Sequence, residues 1–120
     1  MSRRVAKEYL HLRDWIARTN ELVAVGELAY LGSHLLPEAG DSLLMKIGEA
    51  ANRLSKLGVE PPVGITWAQA IDQRNWLIHE YDHVDREVTW ATLTQDIPKW
   101  EIALNPRFIE AEVRLANDSE

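Results

Sequence analysis

The chain has 120 residues, 46% of them hydrophobic, with 13 Lys and Arg against 19 Asp and Glu for a net charge of -6. That length supports one domain around one core, and cysteine is absent, which removes disulfides, thiolate zinc sites and thiol nucleophiles and fits a reducing, cytoplasmic setting. The acidic balance argues against broad nucleic-acid binding, which Lys and Arg drive by displacing counterions from phosphates; a small site for one phosphate, or a groove built by two subunits, remains compatible with it.

The N-terminal stretch "MSRRVAKEYLHLRDW" breaks its apolar positions with charges, so no signal-peptide core is expected, and no later run is long enough to span a bilayer. Val5, Tyr9, Leu12 and Ile16 recur at steps of four and three, the face of a first helix. Thr19 or Asn20 is the expected cap of a second helix carrying Leu22, Val25 and Ala29. "GSHLLPEAGD" is expected to break the chain before the strongest helix, "SLLMKIGEAANRLSKLG", whose stripe is Leu43, Leu44, Ile47, Ala50, Ala51, Leu54 and Leu57. Gly58 stands where a left-handed C-terminal cap is expected, and the tandem prolines of "GVEPPVGI" require a loop.

Thr66 with Gln69 three positions on forms a capping box that opens the next helix, and "DHVD" is expected to end it. Trp90, Leu93, Ile97, Trp100 and Leu104 continue the helical spacing, with a bend expected at Pro98. Asn105-Pro106 reads as a cap and first residue of a last short helix with Phe108, Ile109 and Val113. No segment alternates with period two, so the expectation is an all-α bundle of five or six helices, one domain over 1–116 with a frayed tail over 117–120. Most of the tryptophans (Trp15, Trp67, Trp76, Trp90 and Trp100) are expected in the core or at a subunit interface, and His11 and His34 on the surface or at an interface.

The segment "RNWLIHEYDH", Arg74 to His83, holds two overlapping motifs. From His79 it is H-E-x-x-H, with His79 and His83 as potential zinc ligands, Glu80 as general base, and Glu101 nominally available as third ligand. Against that reading stand the helix end near His83, the lack of a strand to hold an extended peptide, and a pattern that fixes only three positions. From Arg74 it is R-N-x-x-x-H-x-Y, a pattern associated with metal-independent RNA cleavage, and it needs no metal and no cofactor.

On the helix opened by Thr66, the expected buried stripe is Trp67, Ile71, Arg74, Ile78 and Tyr81. An arginine there needs a partner, since its charge is not buried alone; an ion pair with an acid such as Glu49 is the plain structural alternative to a role in chemistry. Arg74 and His79 lie about 140° apart on a straight helix. They converge only if the arginine wraps round, the helix loosens near His79, or two copies meet across a two-fold axis.

Three blocks, "IGEAANRLS" (47–55), "TWAQAIDQRNWLIHEYDHVD" (66–85) and "VTWATLTQDIP" (88–98), closely resemble the HepT-like HEPN proteins and cover about half the chain in the family's order. The resemblance implies a HEPN-type helical bundle that dimerises, with the R-x-x-x-x-H motifs of both subunits lining one cleft. It implies an RNase toxin, acting on RNA with tRNA the expected target. The implied partner is a minimal nucleotidyltransferase antitoxin that adenylylates the tyrosine of the H-x-Y element. Carried onto this chain, that tyrosine is Tyr81, the catalytic pair is Arg74 and His79, and Asn75 is the supporting polar residue.

The residue types suit that chemistry on their own. RNA carries its nucleophile in the 2′-hydroxyl, an imidazole transfers protons near neutral pH, and a guanidinium stabilises charge on phosphoryl oxygens. Asn75 would orient His79 or bind RNA, or be an ordinary helix-face amide; Tyr81 could equally be a core tyrosine. Trp76 would stack a base or pack a dimer, and Glu80 and Asp82 place negative charge where a polyanion must approach. A HEPN domain without cleavage, serving as a nucleotide-binding or partner-docking module, is the alternative from another functional class.

Overall fold

The apolar spacing of the first segment produces α1, Arg3–Val23, which buries Ala6, Tyr9, Leu12, Ile16, Thr19 and Leu22 along one face. The computed structural model describes residues 1–80 and 84–118. The helix does not restart at Thr19 or Asn20. Thr19 donates its hydroxyl to the Trp15 carbonyl at 3.0 Å, one turn back, and so satisfies itself inside α1 rather than capping a new helix.

After a turn at Gly26 come the short α2, Glu27–Leu31, and then α3, Leu35–Lys56. The expected break over "GSHLLPEAGD" shrinks to its first three residues. Pro37 lies in the first turn of α3, where its missing N–H has no intrahelical acceptor to forgo. The other end behaves as expected: Gly58 takes φ +75°, and the Val59 N–H donates to the Leu54 carbonyl at 3.1 Å.

α4 spans Trp67–His79 and is capped by Thr66, whose hydroxyl accepts from the Gln69 N–H at 3.4 Å. α5 (Arg86–Ala91) passes through a π-helical turn (Thr92–Asp96) into α6 (Ile97–Asp118). The irregularity expected at Pro98 is thus one widened turn just before it. The break expected at Asn105-Pro106 is absent, and α6 runs through Pro106. Pro106 offers no N–H to the Ile102 carbonyl four residues back, and both residues face solvent, so that carbonyl is not left in the core.

α1 packs against both α3 and α6, and α4 packs against α3, with Trp67 at its start reaching Tyr9 of α1 and Trp100 of α6. The short α2 and α5 close one end, where the Tyr30 and Thr89 hydroxyls share a buried hydrogen bond of 2.9 Å. Tyr9, Trp67, Phe108 and Trp100 form a connected aromatic cluster with ring centroids 6.2 to 6.4 Å apart. Leu12, Ile16, Ile47, Leu54 and Leu104 are fully buried, each worth roughly 1.5–3 kcal/mol relative to exposure. Arg53 of α3 binds Glu8 of α1 at 2.7 to 2.8 Å, and this ion pair raises the Arg53 pKa. Among the described residues no strand occurs and no helix is long and apolar enough to cross a membrane, so the architecture is the all-α bundle expected from the sequence.

Candidate active site on the fourth helix

Trp67 anchors the start of α4: it is buried, and its indole N–H donates to the Val59 carbonyl at 2.8 Å, tying the preceding loop to the helix. From there the buried line is Trp67, Ala70 and Leu77. The expected stripe through Ile71 and Ile78 is rotated. Ile71 is half-buried and Ile78 is 48% exposed.

The cause is a close approach of two helices. A methyl group added at Gly48 of α3 would fall 2.5 Å from the Arg74 Cβ and 2.7 Å from the Ala70 carbonyl oxygen. Only a glycine lets the two backbones meet this tightly. The contact turns Ala70 and the stem of Arg74 toward α3 and swings Ile78 outward.

Arg74 is therefore partly buried, while its guanidinium turns sideways against its own helix. Nε and Nη2 donate to the Asn75 Oδ1 at 3.3 and 2.9 Å. The ion pair with Glu49 does not form; Glu49 instead borders a separate surface concavity with Asp41, Lys46 and Arg86, in which Arg86 pairs with Asp41. Among the described residues Arg74 has no carboxylate partner. A guanidinium has five N–H donors, so the two bonds to Asn75 leave donors for a phosphate.

His79 is the last residue of α4 and is exposed, with no hydrogen-bond partner among the described residues. Asn75 lies one turn below it on the same face, half-buried. Arg74 therefore turns sideways toward that face, by way of Asn75, and the helix stops at the histidine. Tyr81, Asp82 and His83 lie outside the described residues.

The zinc pattern overlaps the same segment. Paired ligands at His79 and His83 require a helix through both; α4 ends at His79, and His83, with Asp82 of the "DHVD" segment expected to end the helix, lies outside the described residues. The nominal third ligand, Glu101, accepts from the Asn20 Nδ2 at 3.0 and 3.3 Å on the α1–α6 seam. Among the described residues no group of three or more His, Asp or Glu side chains could hold a metal ion.

The sequence reading missed Gly48, although a glycine within an otherwise unbroken helical stripe is a signal of close packing. It also missed Gln73, whose Nε2 is buried without a partner. Trp76 is half-buried against the core, and His11 and His34 are exposed, as expected of surface residues.

Comparison with known proteins gives a consistent picture. The family model for Ribonuclease HepT-like proteins matches residues 12–106. "Putative RNase MJ1380" of Methanocaldococcus jannaschii is 25% identical over 103 residues, covering 82% of this chain and 93% of that protein. "Putative RNase TTE0752" of Caldanaerobacter subterraneus subsp. tengcongensis is 36% identical over 55 residues, 46% of this chain and 49% of its own length. No solved structure matches significantly. The family match spans most of the bundle, including all of α3 and α4 with Gly48, Arg74, Asn75 and His79, and the chain belongs to the HepT-like ribonuclease family.

Proposed function

We propose that this protein is a metal-independent endoribonuclease of the toxin type, working as a homodimer on RNA, with tRNA the expected target. The observation that carries the proposal is an arginine held by a neighbouring amide instead of a carboxylate, close in sequence to an exposed histidine at the end of the same helix. A structural ion pair would consume the guanidinium. An amide positions it and leaves its positive charge uncancelled.

In the proposed reaction His79 takes the proton of a ribose 2′-hydroxyl. The freed oxygen attacks the adjacent phosphorus and the bond to the 5′-oxygen breaks, leaving a 2′,3′-cyclic phosphate. The departing 5′-oxygen receives a proton from an imidazolium, either His79 or the same residue of a second copy. Arg74 stabilises the charge on the phosphoryl oxygens, and Asn75 is the positioning residue that aims it.

The antitoxin in this proposal is a minimal nucleotidyltransferase that adenylylates Tyr81, two residues past His79. The added nucleotide brings bulk and negative charge beside a phosphate site, which blocks substrate.

The test is incubation of the full chain with total tRNA in excess EDTA, after mass spectrometry confirms that Tyr81 is unmodified. Cleavage should survive chelation, fall by roughly 100-fold or more in His79→Ala, and fall in Arg74→Lys, which keeps charge but loses the forked geometry. Intact tRNA with the unaltered protein, or cleavage abolished by EDTA, would refute the proposal. Intact tRNA would favour a partner-docking role for the bundle.

A further inference from the structure

α6 is apolar on two opposite faces. One face, with Trp100, Leu104, Phe108 and Ala111, is buried in the core. At about 100° per residue, Ile102, Pro106, Ile109 and Val113 point roughly 140–200° away from Leu104. All of them are exposed, Ile102 at 77% and Ile109 and Val113 at 55% and 56%. Ile109 and Val113 thus face away from Phe108, with which the sequence grouped them. Their spacing of four, three and four is the seam of a helix that packs lengthwise on another helix. The exposed Ala116 and the partly exposed Pro98 extend the row at its two ends. Single exposed apolar residues are ordinary, whereas a continuous row opposite the core marks a contact surface.

The row stands apart from the proposed cleavage centre. Trp100 packs on Trp67 at the start of α4, and α6 continues from there toward Met1, whose carbonyl accepts from the Arg114 Nε. The 13 residues of α4 separate that level from His79, about 20 Å along the helix.

The pattern of the row identifies what covers it. When two copies lie antiparallel about a two-fold axis between Arg107 and Phe108, Ile102 of one copy meets Val113 of the other. In the same register Pro106 meets Ile109 and Pro98 meets Ala116. Every contact along the row is then apolar on apolar, no charged side chain falls in it, and the helix macrodipoles oppose each other. One isologous contact covers both rows at once. The face of this 22-residue helix is about 33 Å by 10–12 Å, roughly 330–400 Å² per copy, against about 800 Å² per partner in a standard interface. That area fits a weak, reversible self-contact and falls short of a permanent one. We propose that α6 is a self-association face on which a second copy of the chain packs antiparallel along Ile102, Pro106, Ile109 and Val113. It is separate from any contact at the end of α4 and independent of the cleavage reading.

The test is sedimentation of the full chain from about 1 to 500 µM protomer. The mean mass should rise with concentration, with a dissociation constant on the order of tens of micromolar, as suits a small interface. Ile78→Glu, altered only at the end of α4, should keep this association. Adding Ile102→Glu and Ile109→Glu to it should weaken the association about tenfold or more. Both positions are exposed, so the melting temperature should stay within about a few degrees of the parent.

The chain has no cysteine, so Ile102→Cys and Val113→Cys report the register. Mixed and oxidised, the two variants should form a disulfide-linked dimer much faster than either by itself. The proposal is overturned if Ile78→Glu stays monomeric over the whole range, which leaves the row to a helix of a different protein. It is equally overturned if the mixture cross-links no faster than the single variants. Neither readout involves RNA, so failure of the cleavage proposal and failure of this one are separately visible.

Discussion

At the scale of single residues, the decisive question is what a polar group touches. Arg74 looked from its place on the helix like a buried ion-pair partner, yet its side chain ends on Asn75. The R-N dipeptide was legible in the sequence; the choice of Asn75 over Glu49 was not, because it depends on how far α3 stands from α4. Two buried tyrosines make a further point. Burial raises the Tyr9 and Tyr30 pKa values, with Arg107 opposing at Tyr9 and the Thr89 hydrogen bond opposing at Tyr30. The native state therefore keeps these phenol protons at pH values where the unfolded chain releases them. Their contribution is fully present below about pH 10, the ordinary phenol value, and is lost as pH rises through the raised native values. Thermal melting followed from pH 9 upward should show stability falling beyond pH 10, less steeply in a Tyr9→Phe variant. At neutral pH that variant should be as stable as the parent or more so, because the Tyr9 hydroxyl is buried without a partner. A marked loss at neutral pH would contradict this account.

At the scale of elements, spacing identified the helices well and local signals placed their ends unevenly. Thr66 and Gly58 act at helix ends as their residue types predict, since each makes its expected bond or dihedral locally. Thr19 and Pro106 carry equally good local signals and do neither. The core-facing residues on both sides, Ile16 and Leu22 in α1 and Leu104 and Phe108 in α6, stay buried only if the helix continues. Burial outweighs a cap or one missing hydrogen bond. The α3–α4 contact offers the sharpest test at this scale. Gly48→Ala gains about 1 kcal/mol of helix propensity. It also drives a methyl into backbone and Cβ atoms that side-chain rotation cannot move, at roughly 1–3 kcal/mol or more. The chemical denaturation midpoint should fall, and an unchanged or higher midpoint would show that the helices can separate freely.

At the scale of the whole molecule, the acidic chain concentrates its proposed RNA chemistry on the exposed end of one helix. Ile78, 48% exposed, stands immediately before His79. A dimer joined at this end of α4 would cover that apolar side chain and bring two Arg74–His79 sets together. Ile78→Glu should then shift sedimentation from dimer toward monomer and lower RNA cleavage in parallel, with the melting temperature of the monomer little changed. A parent protein that sediments as a monomer at cleaving concentrations would refute the shared cleft.

The sequence by itself determined the helical class and the loop before α4, because these follow from spacing and caps, and three blocks of matching residues carried the resemblance to the family. Only the tertiary structure decided where α1 and α6 continue, how α4 is rotated, and which partner Arg74 takes. Each of those depends on atoms far apart in the chain. One methyl group missing at Gly48 sets the distance between two helices, and that distance determines which side chains of α4 reach solvent.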